Sequence, residues 1–388
     1  MTLTPPSSMT QTPPENFPDW RRLAWLLAIG AALRLVLLTL IFTAGGETWA
    51  HYLSISDAGS YLKFAQVLYT GAPRASLTFY DSRVFPGWPL VYGWLLWLLP
   101  APAAALGALI LTAAAVPALL YLLTRRFAVA LALVWLPPAW LLATTHPVAE
   151  AFFLLAGLGA LLAWQRDRLE LAGLAAGLMC ATKPYGIFLA LPLGLACARS
   201  QGRWSAGRLA RFAWPIFATG ILCAFINLRL YGDMLHQFHV YAAPLAQLNL
   251  AGVDAYASAS GHWSMPFAAL LTTPWRTPVP AWKMLYVYAH VVALFVLVTV
   301  PAWRCWRARA NNNALTLVLL GWLVLNSAAI VCGGPYWGFH SFDRYFVWAW
   351  PAALVLNADF VEKHPRLHAA AAAISILLTL FAIHNHHA

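Results

Sequence analysis

The sequence predicts an all-α polytopic membrane protein of about eleven transmembrane helices, and three observations carry that reading. Of its 388 residues 61% are apolar and 10% charged, with a mean hydropathy of +0.67. Soluble domains run nearer half apolar and a quarter charged. Twenty Trp and twenty Phe residues exceed what one water-soluble core buries. Finally, apolar runs recur along the whole chain at close to bilayer length, about twenty residues for a helix.

Residues 1–19 are rich in Pro, Ser and Thr, carry no apolar period and read as a disordered tail. Residues 20–388 then form a single transmembrane domain. Trp20-Arg21-Arg22 opens a run to about Ala44, too long for a signal-peptide core, so it reads as a retained first helix. A first outer loop, 45–101, contains Trp88–Leu99, which is too short to span. Bracketed by Pro86, Pro89 and Pro100, it reads as an interfacial helix whose Trp88, Tyr92, Trp94 and Trp97 lie at headgroup level. Further spans are expected at 102–124, 127–145, 149–164, 169–182, 185–198, 212–230, 284–302, 313–332, 345–361 and 368–384. Outer loops fall at 231–283 and 333–344.

The basic residues decide the one ambiguous stretch. Read as two short spans meeting at Lys183-Pro184, residues 169–198 leave Arg21-Arg22, Arg125-Arg126, Arg166/Arg168, Arg199–Arg211, Arg304–Arg309 and Lys363/Arg366 on one side. That is the inside of a positive-inside topology, with the N-terminus cytoplasmic. The formal charge of +11 is thus mainly a topology signal and does not imply a nucleic-acid partner. The five cysteines lack CxxC spacing and sit in or beside apolar runs, so neither a disulfide framework nor a zinc site is expected. Ala/Leu/Arg/Trp-rich usage and short loops point to a bacterial inner membrane.

On the outer face the same topology gathers Asp57, Asp81, Arg83, Glu150, Lys183, His340 and Arg344. Glu150, Lys183 and Arg344 lie at or within apolar runs, where ionisable groups are expensive and tend to be functional. Carboxylates there can act as general bases, and Arg or Lys can hold a phosphate. Arg34, in the middle of the first span, reads as a member of a structural ion pair or as a snorkelling side chain. Asp57 opens a helical pattern in which Tyr61, Phe64, Ala65 and Leu68 share a face. It is equally readable as a helix-capping carboxylate or as a base.

The first outer loop, SDAGSYL followed by FPGWPL, resembles that of the GT-C membrane glycosyltransferases. It is most similar to the branch holding the second mannosyltransferase of glycosylphosphatidylinositol-anchor synthesis and its prokaryotic relatives. Pro138-Ala139 with Glu150-Ala151-Phe152-Phe153, Thr182-Lys183-Pro184-Tyr185-Gly186, and Arg344-Tyr345 before Pro351 resemble further elements of that branch, in the same order. Lys183 stands where the branch usually has Arg.

The resemblance implies a GT-C-like fold and transfer of a hexose, mannose by analogy, from a polyprenyl-phosphate donor. The acceptor is a lipid or glycan hydroxyl on the outer face, and the configuration is inverted. Asp57 is then the base, Lys183 and Arg344 contact the phosphate, and Glu150, Arg83, Asp81 and His340 belong to the same cavity. No cofactor is expected. A departing monophosphate can be met by basic side chains, and no DxD pair occurs, so a divalent metal is not indicated. His384-Asn385-His386-His387 reads as an exposed tail. The sequence names no protein partner. The competing reading is a polytopic transporter or flippase of a lipid-linked or small polar substrate. Its mark, matching broken segments in two halves, is missing: the interruption at Lys183 has no counterpart.

Overall fold

The structure, a computed structural model, describes residues 18–43, 46–54, 56–78, 81–200, 203–242, 271, 281–307, 313–332 and 342–387. The expected tail up to residue 17, most of the second outer loop and His340 lie outside the described residues. Nearly every predicted apolar run is a helix. The long ones are α1 (Trp20–Thr43), α5 (Ala101–Thr124), α11 (Ala206–Tyr231), α13 (Ala281–Arg307) and α14 (Ala314–Val331). These five are long and apolar enough to cross a membrane.

Between α1 and α5 lie α2 (Trp49–Ser54), α3 (Ser56–Tyr69) and α4 (Gly87–Tyr92). The run 127–145 is broken into α6 (Phe127–Trp135) and α7 (Pro138–Ala143). Shorter apolar helices follow as α8 (Glu150–Gln165), α9 (Leu169–Thr182) and α10 (Ile187–Ala198). A two-residue β-hairpin, Arg199–Ser200 against Arg203–Trp204, joins α10 to α11, and α12 (His236–Ala242) follows α11. The run 345–361 is also interrupted, as α15 (Phe342–Phe346), a 3₁₀ turn, α16 (Trp350–Leu356) and α17 (Ala358–Lys363). The last helix, α18 (Pro365–His387), continues through the expected histidine tail.

Caps set two starts: Ser205 accepts the amide of Arg208 ahead of α11, and Asn313 accepts that of Thr316 ahead of α14. The helices pack in a row, α1 on α5, α5 on α8, α8 on α9 and α9 on α11. Small buried residues on α9, Ala172 and Ala176, let neighbours approach closely, as lipid-embedded helices require. The lateral surface is apolar: Phe217, Ile221 and Leu285 are at least 70% exposed. Hydrocarbon, not water, is the environment that tolerates such faces.

Several of the basic residues expected on the inner side lie near helix ends and pair with acidic ones there. Arg126 at the start of α6 pairs with Asp359 on α17 at 2.5 Å, and Arg211 on α11 pairs with Glu170 on α9 at 2.5 Å. Arg208 pairs with Asp167 in the α8–α9 turn. These pairs are largely exposed, so each contributes roughly 0–1 kcal/mol.

Arg34 corrects an expectation. It is wholly buried, yet it neither snorkels nor meets a carboxylate among the described residues. Its Nη1 donates to the Val134 carbonyl at 2.9 Å and its Nε to Thr144 Oγ1 at 3.1 Å, with the guanidinium 5.3 Å from the Trp140 ring. The helical partner of that carbonyl would be the N–H of residue 138, and Pro138 has none. Arg34 therefore closes the backbone gap at the α6–α7 break, a group that hydrocarbon would otherwise leave unpaired.

Trp88 and Tyr92 correct a second. They are buried, Trp88 lying 5.3 Å from Phe152 of α8 in a stacked pair, rather than sitting at headgroup level. Of its four named aromatics only Trp94 and Trp97 are exposed, together with Leu98 and Leu99 at the end of the stretch. The short segment is thus an internal wedge, tipped with interfacial aromatics.

Candidate active site

Five of the predicted site residues meet in one ion network. Asp57 is the second residue of α3, and each of its carboxylate oxygens meets an arginine. Its Oδ1 accepts from Arg83 Nη2, and its Oδ2 accepts from Arg344 Nη2 at 2.6 Å. Arg344 uses its Nε on Glu150 Oε1, and the same oxygen takes Lys183 Nζ at 3.1 Å. Lys183 also lies 5.3 Å from the ring of Trp348. Among the described residues three basic groups face two carboxylates, a surplus of one positive charge.

Local sequence explains each position. Glu150 is the first residue of α8, where the positive end of the helix dipole favours a carboxylate. Lys183 is the extended residue between α9 and the Pro184–Gly186 turn, where Pro184 forbids the helix from continuing. The chain then doubles back so closely that a Cβ on Gly186 would stand 2.7 Å from the Cys180 amide nitrogen. Arg344 lies on α15, and Trp348, four residues on, falls on the same side to sit by Lys183.

The FPGWPL element acts through its glycine. A Cβ at Gly87 would be 2.6 Å from both the Ala181 carbonyl carbon and the Thr182 nitrogen. Only glycine lets the first loop rest on the last turn of α9, immediately before Lys183.

Asp81 belongs to a neighbouring set and not to this network. It accepts from Ser60 Oγ at 2.8 Å, Lys63 Nζ at 2.9 Å, and both the amide and hydroxyl of Thr78. Burial would raise its carboxyl, but these hydrogen bonds outweigh that and hold it below the usual carboxylate value. Ser60 and Lys63 follow Asp57 on α3, so Asp81 clamps the 3₁₀ turn 81–83 onto that helix. That clamp aims Arg83 at Asp57.

The network is shielded but reachable. Glu150 is 0% exposed, whereas the side chain of Arg344 keeps 23%, the most open of the five. The mouth therefore lies at Arg344. Burial alone would raise the Asp57 carboxyl, yet Arg83, Arg344 and Lys183 together hold it well below the ordinary carboxylate range. Glu150 Oε2 is buried with no partner among the described residues.

Three participants escape a reading of side-chain types alone: Trp348 beside Lys183, and Ser60 and Lys63, which anchor Asp81. The i,i+4 spacing from Arg344 to Trp348 is the trace that the first leaves; the other two follow Asp57 on α3 at three and six residues.

Residues 84–333, well over half the chain, match the family model described as Glycosyltransferase family 87. The matched segment contains Glu150 and Lys183, while Asp57, Arg83 and Arg344 lie outside it and join it through the ion pairs above. No curated protein matches the chain. The chain belongs to glycosyltransferase family 87.

Proposed function

We propose that this membrane glycosyltransferase takes its sugar from a polyprenyl-phosphate donor and hands it, with inversion, to a lipid or glycan hydroxyl. The observation that carries this reading is the convergence of Asp57, Arg83, Glu150, Lys183 and Arg344 into one shielded cluster with surplus positive charge. A neutral transport substrate gives no reason for such a surplus. A departing lipid phosphate does.

In this mechanism the acceptor oxygen attacks the anomeric carbon as Asp57 takes the hydroxyl proton. The bond from that carbon to the phosphate oxygen breaks on the opposite face. The electron pair leaves with the polyprenyl phosphate, whose charge is met by Lys183 and Arg344. Donor phosphate drawn to Arg344 loosens its hold on Asp57 Oδ2, so the base becomes available once donor is bound. Asp81 positions Arg83 through the turn 81–83, and Glu150 holds Lys183 and Arg344 side by side.

The wider setting is an eleven-span, GT-C-like topology with the basic clusters cytoplasmic and the site on the outer face of an inner membrane. Mannose is the sugar suggested by the resemblance of SDAGSYL, FPGWPL and the Arg344-Tyr345 element. Orientation is tested by a single cysteine introduced at Gly202, which should label only after the cells are opened.

The test of function compares wild type with Asp57→Asn in nanodiscs, using a panel of radiolabelled polyprenyl-phosphate hexoses and total membrane lipid as acceptor. Wild type should consume one donor, and the folded Asp57→Asn protein should lose at least 100-fold in kcat. A variant as active as wild type would return Asp57 to a purely structural role.

A further inference from the structure

Outside the ion network, α13, α16, α17 and α18 enclose a hollow of about 430 Å³ with the end of α6; it begins at Trp350 and follows α16 towards its C-terminal end at Asn357. Its walls are apolar, among them Leu136, Leu297, Val300, Ala353 and Leu354. It opens sideways between Val296, Phe360 and Leu367, each about half exposed on the lipid-facing surface. Whatever enters comes from the bilayer.

The hollow has a polar end. Arg304, His364 and His368 line it there, and Arg304 also lines an adjoining polar cavity of about 350 Å³ with Asn313 and Thr316. The nearby carboxylates are already engaged: Arg126 holds Asp359 at 2.5 Å and Glu362 at 3.3 Å. Arg304 shares the adjoining cavity with Asp359 and acts on it at longer range, but makes no ion pair within 4 Å among the described residues. Inside the hollow, Trp350 Nε1 and His368 Nε2 are buried with no hydrogen-bond partner among the described residues. An apolar slot with unpaired polar nitrogens, and at its mouth a cation without a direct ion pair, matches one chemistry, an acyl chain joined through ester carbonyls to an anionic phosphate.

The geometry points to a structural site for an anionic phospholipid of the leaflet facing away from the active site. Its phosphate sits on Arg304, its ester region lies beside His368, and one acyl chain fills the hollow. A bound lipid here splints α13 to α16 and α18, where the helices are short or interrupted. This inference is independent of the glycosyl-transfer reading, since none of these residues belongs to the ion network.

Delipidated full-length protein, titrated with dioleoyl phosphatidylglycerol or dioleoyl phosphatidylcholine and read by native mass spectrometry, tests it. One phosphatidylglycerol per chain should be retained at least fivefold more tightly than phosphatidylcholine. Arg304→Gln should abolish that preference while leaving phosphatidylcholine retention unchanged. Ala371→Phe, which intrudes into the hollow, should lower retention of both lipids. Arg304 is exposed, so its variant alone decides the matter should Ala371→Phe fail to fold. Equal retention of the two lipids, or a preference that survives Arg304→Gln, overturns the proposal. Preferential retention of a polyprenyl phosphate over phosphatidylglycerol would assign the hollow to the donor chain instead, and would overturn it equally.

Discussion

Arg344 and Asp57, 287 residues apart in the chain, meet at 2.6 Å through a guanidinium that also grips Glu150. One planar fork thus holds two carboxylates from two different helices. A point charge on a flexible stem does not reproduce that geometry.

Arg344→Lys is therefore not conservative. It should lose at least one of the two charged hydrogen bonds, about 1.5–3 kcal/mol, and lower kcat/KM for donor by roughly 10- to 100-fold. Steady-state kinetics on the folded variant check this; an unchanged kcat/KM would remove Arg344 from the phosphate site.

The pH response follows from Asp57. Its ordinary pKa of 3.8 is lowered in the folded protein, so the folded state binds fewer protons than the unfolded one as pH falls through that value. The stabilisation from its ion pairs is complete above about pH 4 and is lost only at lower pH. Accordingly kcat/KM, which reports the free enzyme, should stay flat down to about pH 5 on account of this group. Because donor phosphate competes for Arg344, kcat should show its acid limb at higher pH than kcat/KM. Coincident limbs would argue that Arg344 keeps its grip on Asp57 throughout turnover.

Arg34→Met should destabilise the protein by about 1–3 kcal/mol, the cost of leaving the Val134 carbonyl unpaired. Thr144→Ala removes the other acceptor of Arg34, so the double variant should lose less than the two single losses together. Thermal unfolding of the two single variants and the double variant gives the coupling. Strictly additive shifts would show that Arg34 does not bridge this break.

Gly87→Ala puts a Cβ within 2.6 Å of backbone at Ala181 and Thr182, where no flexible side chain can yield. Displacing the first loop should lower thermal stability by an amount typical of overpacking, about 1–3 kcal/mol. Donor use should fall with it, because Lys183 is the next residue. Normal stability and normal kinetics together would show that the loop does not rest there.

Much of this was legible before any coordinates. Apolar run length located the helices, and the rarity of charge within those runs drew attention to Glu150, Lys183 and Arg344. Pairing was less legible, because partners distant in sequence leave no local mark. Asp81 looked like one more site carboxylate until its bonds to Ser60, Lys63 and Thr78 gave it to α3. Arg34 looked like half of an ion pair because a carbonyl acceptor has no side-chain signature. Its only sign was Pro137-Pro138, which strips two consecutive amides from a span. Trp88 and Tyr92 were misplaced because aromatic composition does not distinguish a headgroup belt from a buried wedge.

The join between Glu150 and Arg344 also bears on biosynthesis. They are separated by 194 residues, so at roughly 5–20 residues per second about 10–40 s pass between their translation. For that interval Arg83 is already made and pairs with Asp57, and Lys183 is the described cation that reaches Glu150. The nascent chain thus holds both network acids and two of the three cations while lacking the arginine that ties the acids together. On the proposed mechanism, completion of the network is a late event of insertion, and a ribosome-stalled or truncated product ending before α15 should be membrane-embedded but inert.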